Sequence, residues 1–232
     1  MEKNKKILII IISIIIIFFS HLIIKKIISK NKKKYPMGKY YFSNKYLNYI
    51  KNFEKENKEI NNVDIIFLGD SLFNRYNLKE FYPEFTTLNR GISGDTTFGV
   101  EKRLKISCFD VKSKILIMLI GINNINSMFE NYESILIKLK NNINDRKIII
   151  CSLTPMSGER AFKNNMAILS NNFIKNLAKK YNFFFVDLFN PLFNKETNEI
   201  YEKYTNDGLH FTDEGYEVIT KEIKKVLNKI IL

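Results

Sequence analysis

Val63-Asp64-Ile65-Ile66-Phe67-Leu68-Gly69-Asp70-Ser71-Leu72 is an apolar run that stops abruptly at a glycine, a carboxylate and a hydroxyl. So short a run of apolar and β-branched residues suits a strand buried on both faces, as found inside parallel sheets. Two readings of its end are open. A Gly-Asp-Ser triplet is an ordinary turn with a helix N-cap, and it is also a way to present a serine hydroxyl at a sheet edge.

Working outward, similar short runs recur at 86–89, 114–120, 147–151 and 183–187. Helical stripes separate them. Tyr132, Ile135, Leu136, Leu139 and Ile143 share one face, as do Met166, Leu169, Phe173 and Leu177. A final stripe of Tyr216, Ile219, Ile223, Val226, Leu227 and Ile230 opens at Thr212, a suitable N-cap. A Tyr/Phe-rich stretch over 40–59 predicts a further helix lying against the domain. Strands alternating with helices imply an α/β fold, an open doubly wound sheet of about five parallel strands. There is no internal repeat.

The 232 residues carry a formal charge of +13, which by itself resembles a nucleic-acid footprint. Its distribution argues otherwise. Residues 1–34 hold nine Lys against the single acid Glu2, a net +8 that leaves only +5 for the rest of the chain. Within that segment the apolar run over 7–24 would be about 27 Å long as a helix, close to a bilayer core of about 30 Å. No small-residue cleavage site follows it, so an uncleaved transmembrane anchor is expected. His21 inside it is assigned no chemistry. Six Lys follow the run and three precede it, which alone would keep the domain inside. Very short N-terminal tails often stay inside regardless, and an extracytoplasmic domain is the expectation. The chain thus divides into an anchor and basic flank (1–34), a connector with a helix (35–62) and the α/β domain (63–232). Cys108 and Cys151 are single and far apart; they read as core thiols, with no zinc site and no disulfide framework.

In an open α/β sheet, ligands bind beyond the carboxyl ends of the strands. Four polar, glycine-bearing clusters gather there or before the last helix: Gly69-Asp70-Ser71, the run 89–97 (Asn-Arg-Gly-Ile-Ser-Gly-Asp-Thr-Thr), Gly121-Ile122-Asn123-Asn124, and Asp207-Gly208-Leu209-His210. His210 is the one histidine outside the apolar N-terminal run, so any imidazole base in this domain is His210. Asp207, three residues earlier, can orient its ring, and Ser71 supplies a hydroxyl. Gly94 offers a backbone N–H and Asn123 a side-chain amide, the usual donors to an oxyanion. Each cluster alone also has a plainer reading. Asp70 can serve local backbone N–H groups, Asn89 and Asp95 can order their loop, and Ser93 and Thr96 are placed to cap a following helix.

Together, and in this order, the clusters resemble the conserved blocks of the SGNH (GDSL-like) hydrolase superfamily across 63–216. That resemblance implies a flavodoxin-like three-layer α/β/α fold, with no metal or cofactor. It also implies Ser71 as nucleophile, His210 as base, Asp207 as its orienter, and an oxyanion hole of the Ser71 and Gly94 N–H groups with the Asn123 amide. The α/β-hydrolase elbow Gly-x-Ser-x-Gly is absent, since Phe73 lies two residues after Ser71. Asn124 departs from the pattern, which has Asp there, so altered hydrogen bonding is expected around Asn123.

The run 89–97 is similar to the acetylhydrolase-like branch, implying short acyl groups on sugars or lipids, and no large apolar lid insertion is evident. The expected function is a serine esterase acting on acetyl or similar esters of a glycan or lipid near a membrane. A catalytically silent carbohydrate-binding module and an acyltransferase with the same triad are the alternatives.

Overall fold

A computed structural model of the chain describes residues 43–60 and 62–231. Helix α1 (Asn44–Glu59) leads into strand β1 (Asn62–Gly69), the short helices α2 (Ser71–Asn74) and α3 (Leu78–Phe81), and β2 (Thr87–Gly91). Then come α4 (Thr97–Leu104), β3 (Lys112–Leu119), α5 (Tyr132–Asn142), β4 (Lys147–Cys151), α6 (Asn164–Lys180) and β5 (Phe184–Val186). A small hairpin of β6 (Phe193–Asn194) and β7 (Glu199–Ile200) precedes the last helix, α7 (Asp213–Ile231).

The five longer-range strands pair in parallel in the order β2-β1-β3-β4-β5, the flavodoxin-like arrangement. Side chains alternate across the sheet. Ile66, Leu68, Leu116, Met118, Ile148 and Ile150 face a core built with Val100, Ile135, Leu136, Leu139, Ile174 and Leu177 from α4, α5 and α6. Ile65, Phe67, Ile115, Ile117 and Ile149 face the other core, with Leu72, Phe73, Ile219, Ile223 and Leu227 from α2 and α7. Apolar residues at both parities are why these strands read as continuous runs rather than alternating ones. Three layers result, as expected.

β2 runs two residues past its expected end, to Gly91, so that Gly91 pairs with Gly69. Asn89 and Arg90 look polar in sequence, but Arg90 is fully buried against α1, which lets the strand continue. A five-residue π-helical turn over Lys105–Phe109 extends α4 and had no signal in the sequence. Thr96 caps α4, accepting from the Gly99 N–H, whereas Ser93 instead donates to Asn74 Oδ1. Thr212 caps α7 by accepting from the Gly215 N–H. Cys108 and Cys151 are free, buried thiols, and burial pushes Cys108 up to about 12. The transmembrane helix expected over 7–24 lies outside the described residues. Among the described residues, no helix is long and apolar enough to cross a membrane.

Candidate active site

β1 ends against its neighbour so closely that a Cβ on Gly69 would lie 2.4 Å from the Leu119 carbonyl oxygen. Close approach, rather than a special turn conformation, is therefore what demands glycine there. Asp70 then caps α2, its Oδ1 accepting from the Leu72 N–H at 3.0 Å, and Ser71 begins the helix. From the same layer, Tyr216 on α7 donates to the Leu72 carbonyl at 2.9 Å and pins this turn down.

His210 arrives from 139 residues later in the chain, and its Nε2 lies 3.0 Å from Ser71 Oγ. Its Nδ1 lies 2.7 Å from Asp207 Oδ2. Asp207 Oδ1 accepts from the Leu209 and His210 N–H groups at 3.1 and 2.8 Å. Burial opposes the charge on Asp207, but these bonds and the His210 ring outweigh it and hold the carboxyl at about 2. Asp207 therefore stays an acceptor at any working pH. With Nδ1–H donating to it, the Nε2 lone pair faces the serine hydroxyl, the arrangement that can draw off its proton.

The loop from Gly91 to Thr97 lies alongside this group. Its ties are the Ile92 N–H to the Gly69 carbonyl (3.1 Å), Ser93 Oγ to Asn74 Oδ1 (2.9 Å), and Asn74 Nδ2 to the Gly91 carbonyl (3.1 Å). The Asp95 N–H donates to the Ile92 carbonyl at 3.1 Å, closing a turn that holds Gly94 at φ +79°. Asn123 Nδ2 donates to the Asp95 carbonyl at 2.9 Å, which leaves its second amide hydrogen open. Neither the Ser71 N–H nor the Gly94 N–H is tied to an acceptor among the described residues. Ser71, Asp207 and His210 are thus in direct contact, while Gly94 and Asn123 join them through Asn74 and Asp95.

Asn89 and Asp95 order the loop, as expected: Asn89 Nδ2 donates to the Phe73 carbonyl at 2.6 Å and its Oδ1 accepts from the Gly91 N–H. Asn124 accepts from the Thr97 N–H at 3.1 Å and donates to Thr97 Oγ1 at 2.8 Å, two roles that an aspartate could not combine. Three supports were not foreseen. Arg103 reaches the Gly69 carbonyl at 2.8 Å, Asn74 links α2 to the loop, and Arg160 donates to the Asp207 carbonyl at 3.0 Å. A cation set beside Val100 and Leu104 in a short helix was the one available hint of Arg103.

The chain is 27% identical over 179 residues to platelet-activating factor acetylhydrolase IB subunit alpha2 of Rattus norvegicus, covering 72% of this chain and 77% of the relative. Its fold is similar to that of a GDSL-like lipase from Bacteroides thetaiotaomicron (TM-score 0.69, 23% identity, 78% of this chain and 98% of that one). An acetyl xylan esterase variant from Geobacillus stearothermophilus shares the fold at TM-score 0.57 and 19% identity, over 72% of this chain and 95% of that one. Residues 67–218 match the GDSL-like Lipase/Acylhydrolase family. That match takes in all four clusters, and the chain belongs to this family of ester hydrolases.

Proposed function

We propose that this protein is a serine esterase that removes short acyl groups, acetyl foremost, from esters on a carbohydrate or lipid. The reading rests on one observation, the 3.0 Å contact of Ser71 Oγ with a His210 ring whose far nitrogen is held by Asp207. Ser71 Oγ attacks the ester carbonyl as its proton passes to His210 Nε2. The oxyanion is held by the Ser71 and Gly94 N–H groups and the free Asn123 amide hydrogen. His210 then protonates the departing alcohol, leaving an acyl-enzyme. Water attacks that ester with His210 as base, and the acid and free Ser71 are released.

Preference for acetyl is supported by the relative named an acetylhydrolase and by the sequence run 89–97, with no apolar lid insertion in the sequence. The apolar run over 7–24 supports a membrane-tethered enzyme; with its short N-terminal tail kept inside, the domain faces the extracytoplasmic side, next to envelope glycan or lipid esters.

The test uses the full chain on 4-nitrophenyl acetate. Ser71→Ala and His210→Ala should each lose hydrolysis by at least about 10³-fold. Asn123→Ala should lose about 10²–10³ in kcat, the usual cost of one oxyanion donor. Folded wild type that neither hydrolyses the ester nor takes a fluorophosphonate on Ser71 would leave the silent binding module instead. Acyl transfer to an added acceptor sugar in preference to water would convert the assignment to acyltransferase.

A further inference from the structure

Arg103 is a full positive charge sealed under the catalytic edge, 3% exposed, and none of the chemistry above uses it. Its Nε donates to Asp95 Oδ2 at 2.7 Å. One terminal nitrogen donates to the Arg90 carbonyl and to Ser107 Oγ, both at 2.9 Å, and the other to the Gly69 carbonyl at 2.8 Å. The guanidinium therefore joins the end of β1, two residues before Ser71, to β2 and to the loop that carries Gly94. A planar fork with fixed N–H directions makes such a three-way joint, and a lysine ammonium does not.

Asp95 is the other half. Its side chain takes Arg103 through Oδ2 and the Thr96 N–H through Oδ1 at 2.8 Å. Its carbonyl takes Asn123 Nδ2 at 2.9 Å, and it directly follows Gly94. Both oxyanion donors outside Ser71 thus depend on where this one residue sits. Its carboxylate also occupies the space that a side chain at position 99 would need, since a Cβ on Gly99 would come within 1.7 Å of Oδ1. Burying an ion pair is a poor route to stability, because desolvation offsets most of the attraction; what such a pair can fix is one geometry.

We infer that Arg103 and Asp95 are a positioning pair for the oxyanion hole, setting the Gly94 N–H and the Asn123 amide relative to Ser71. This rests on the esterase reading given above. Neither residue touches the substrate. Their contribution appears in the rate of the chemical step and not in substrate affinity.

The experiment measures kcat and KM on 4-nitrophenyl acetate for full-length Arg103→Lys, alone and combined with Asn123→Ala. Rates are normalised to the Ser71 sites that a fluorophosphonate titrates, so misfolded protein does not count. Arg103→Lys should lower kcat about 10- to 100-fold with KM within about twofold, somewhat less than deletion of an oxyanion donor. Added to Asn123→Ala it should cost only about two- to threefold more, because both changes disable the same device. Equal fold losses in the two backgrounds would show that Arg103 acts independently of Asn123 and would overturn the pair's role, as would a wild-type kcat. Gly99→Ala, which forces the Asp95 carboxylate aside without altering Arg103, should give the same kcat loss at unchanged KM and serves if Arg103→Lys does not fold. A wild type with no Ser71-dependent hydrolysis would overturn the esterase reading and this pair with it. A working Ser71–His210 esterase that is insensitive to both changes would overturn the pair alone.

Discussion

At the scale of single residues, the surroundings of Asp70 contradict its chemistry. It is 1% exposed, one carboxyl oxygen caps α2, and the other is buried with no hydrogen-bond partner. Arg103 lies nearby, but its N–H groups are spent on Asp95, Ser107 and two carbonyls. Burial pushes the Asp70 carboxyl up to about 7, with the Asp95 charge adding to the push. An acid whose folded value is raised takes stability away as pH rises. The unfolded chain releases its proton near 3.8 while the folded one keeps it, so the penalty grows from about pH 4 and is complete above about pH 7. A gap of that size corresponds to about 4 kcal/mol at 1.36 kcal/mol per unit. Asp70→Asn keeps the acceptor for the Leu72 N–H and removes the charge. Its melting temperature should exceed wild type at pH 8 and converge with it at pH 4; a gain of equal size at both values would reject this account. The sequence made the cap legible, because Asp before a helix start is a local signal. The orphaned oxygen was not legible, since it depends on neighbours 25 and 33 residues further along the chain.

Among the elements, α1 shows most clearly how a helix can be visible in sequence while its purpose is not. Its Tyr/Phe-rich composition predicts a helix against the domain, yet Phe53 is its only buried residue. What holds it is Arg90 from β2, whose guanidinium stacks 4.4 Å from the centre of the Phe53 ring. Arg90 also donates to Glu56 and, at 2.6 Å, to Asn57 Oδ1. Asn57 Nδ2 reaches the Ile106 carbonyl at 2.7 Å, and Tyr49 donates to Asn74 Oδ1 at 3.1 Å, so the helix also braces α2, the turn that begins with Ser71. Read as sequence, Arg90 belonged to a polar cluster at a strand end; burial there is possible only because α1 brings a ring and two acceptors. Phe53→Ala should then cost about 3 kcal/mol, the low end for a buried aromatic, and leave Arg90 uncovered. Limited proteolysis should cut within 44–59 while the sheet remains intact. Cleavage no faster than in wild type would mean that the polar contacts alone retain the helix.

For the whole molecule, the sheet order explains why so much of the site was legible and which part was not. β1 lies between β2 and β3, so the segments carrying Ser71, Gly94 and Asn123 leave three adjacent strands at the topological switch point. Polar, glycine-bearing clusters after apolar runs mark such an edge in any parallel sheet, and strand order needs no further signal to gather them. His210 follows a different logic. It comes after the sheet is complete, on a loop closed by the Thr205–Phe211 bridge and by the Asn206 N–H to the His210 carbonyl at 2.9 Å. That loop is fastened to the segment leading into α6, where the Ser157 N–H donates to the Gly208 carbonyl at 2.9 Å and Arg160 to the Asp207 carbonyl. Neither partner has a sequence pattern linking it to the triad. Gly208 is the joint: its φ is +80°, and a Cβ would sit 2.7 Å from the Ser157 carbonyl oxygen. Gly208→Ala therefore meets both backbone strain and a clash with main chain that has no side-chain freedom to yield. The loop must shift, and His210 Nε2 moves away from Ser71 while Gly94 and Asn123 remain in place. We expect kcat to fall at least about tenfold, because a displacement near 1 Å already costs about 10² in a positioned reaction. Fluorophosphonate labelling of Ser71 should slow in parallel, since it needs the same base. Near-normal turnover in Gly208→Ala would mean that the 205–211 loop holds His210 without its fastening to Ser157.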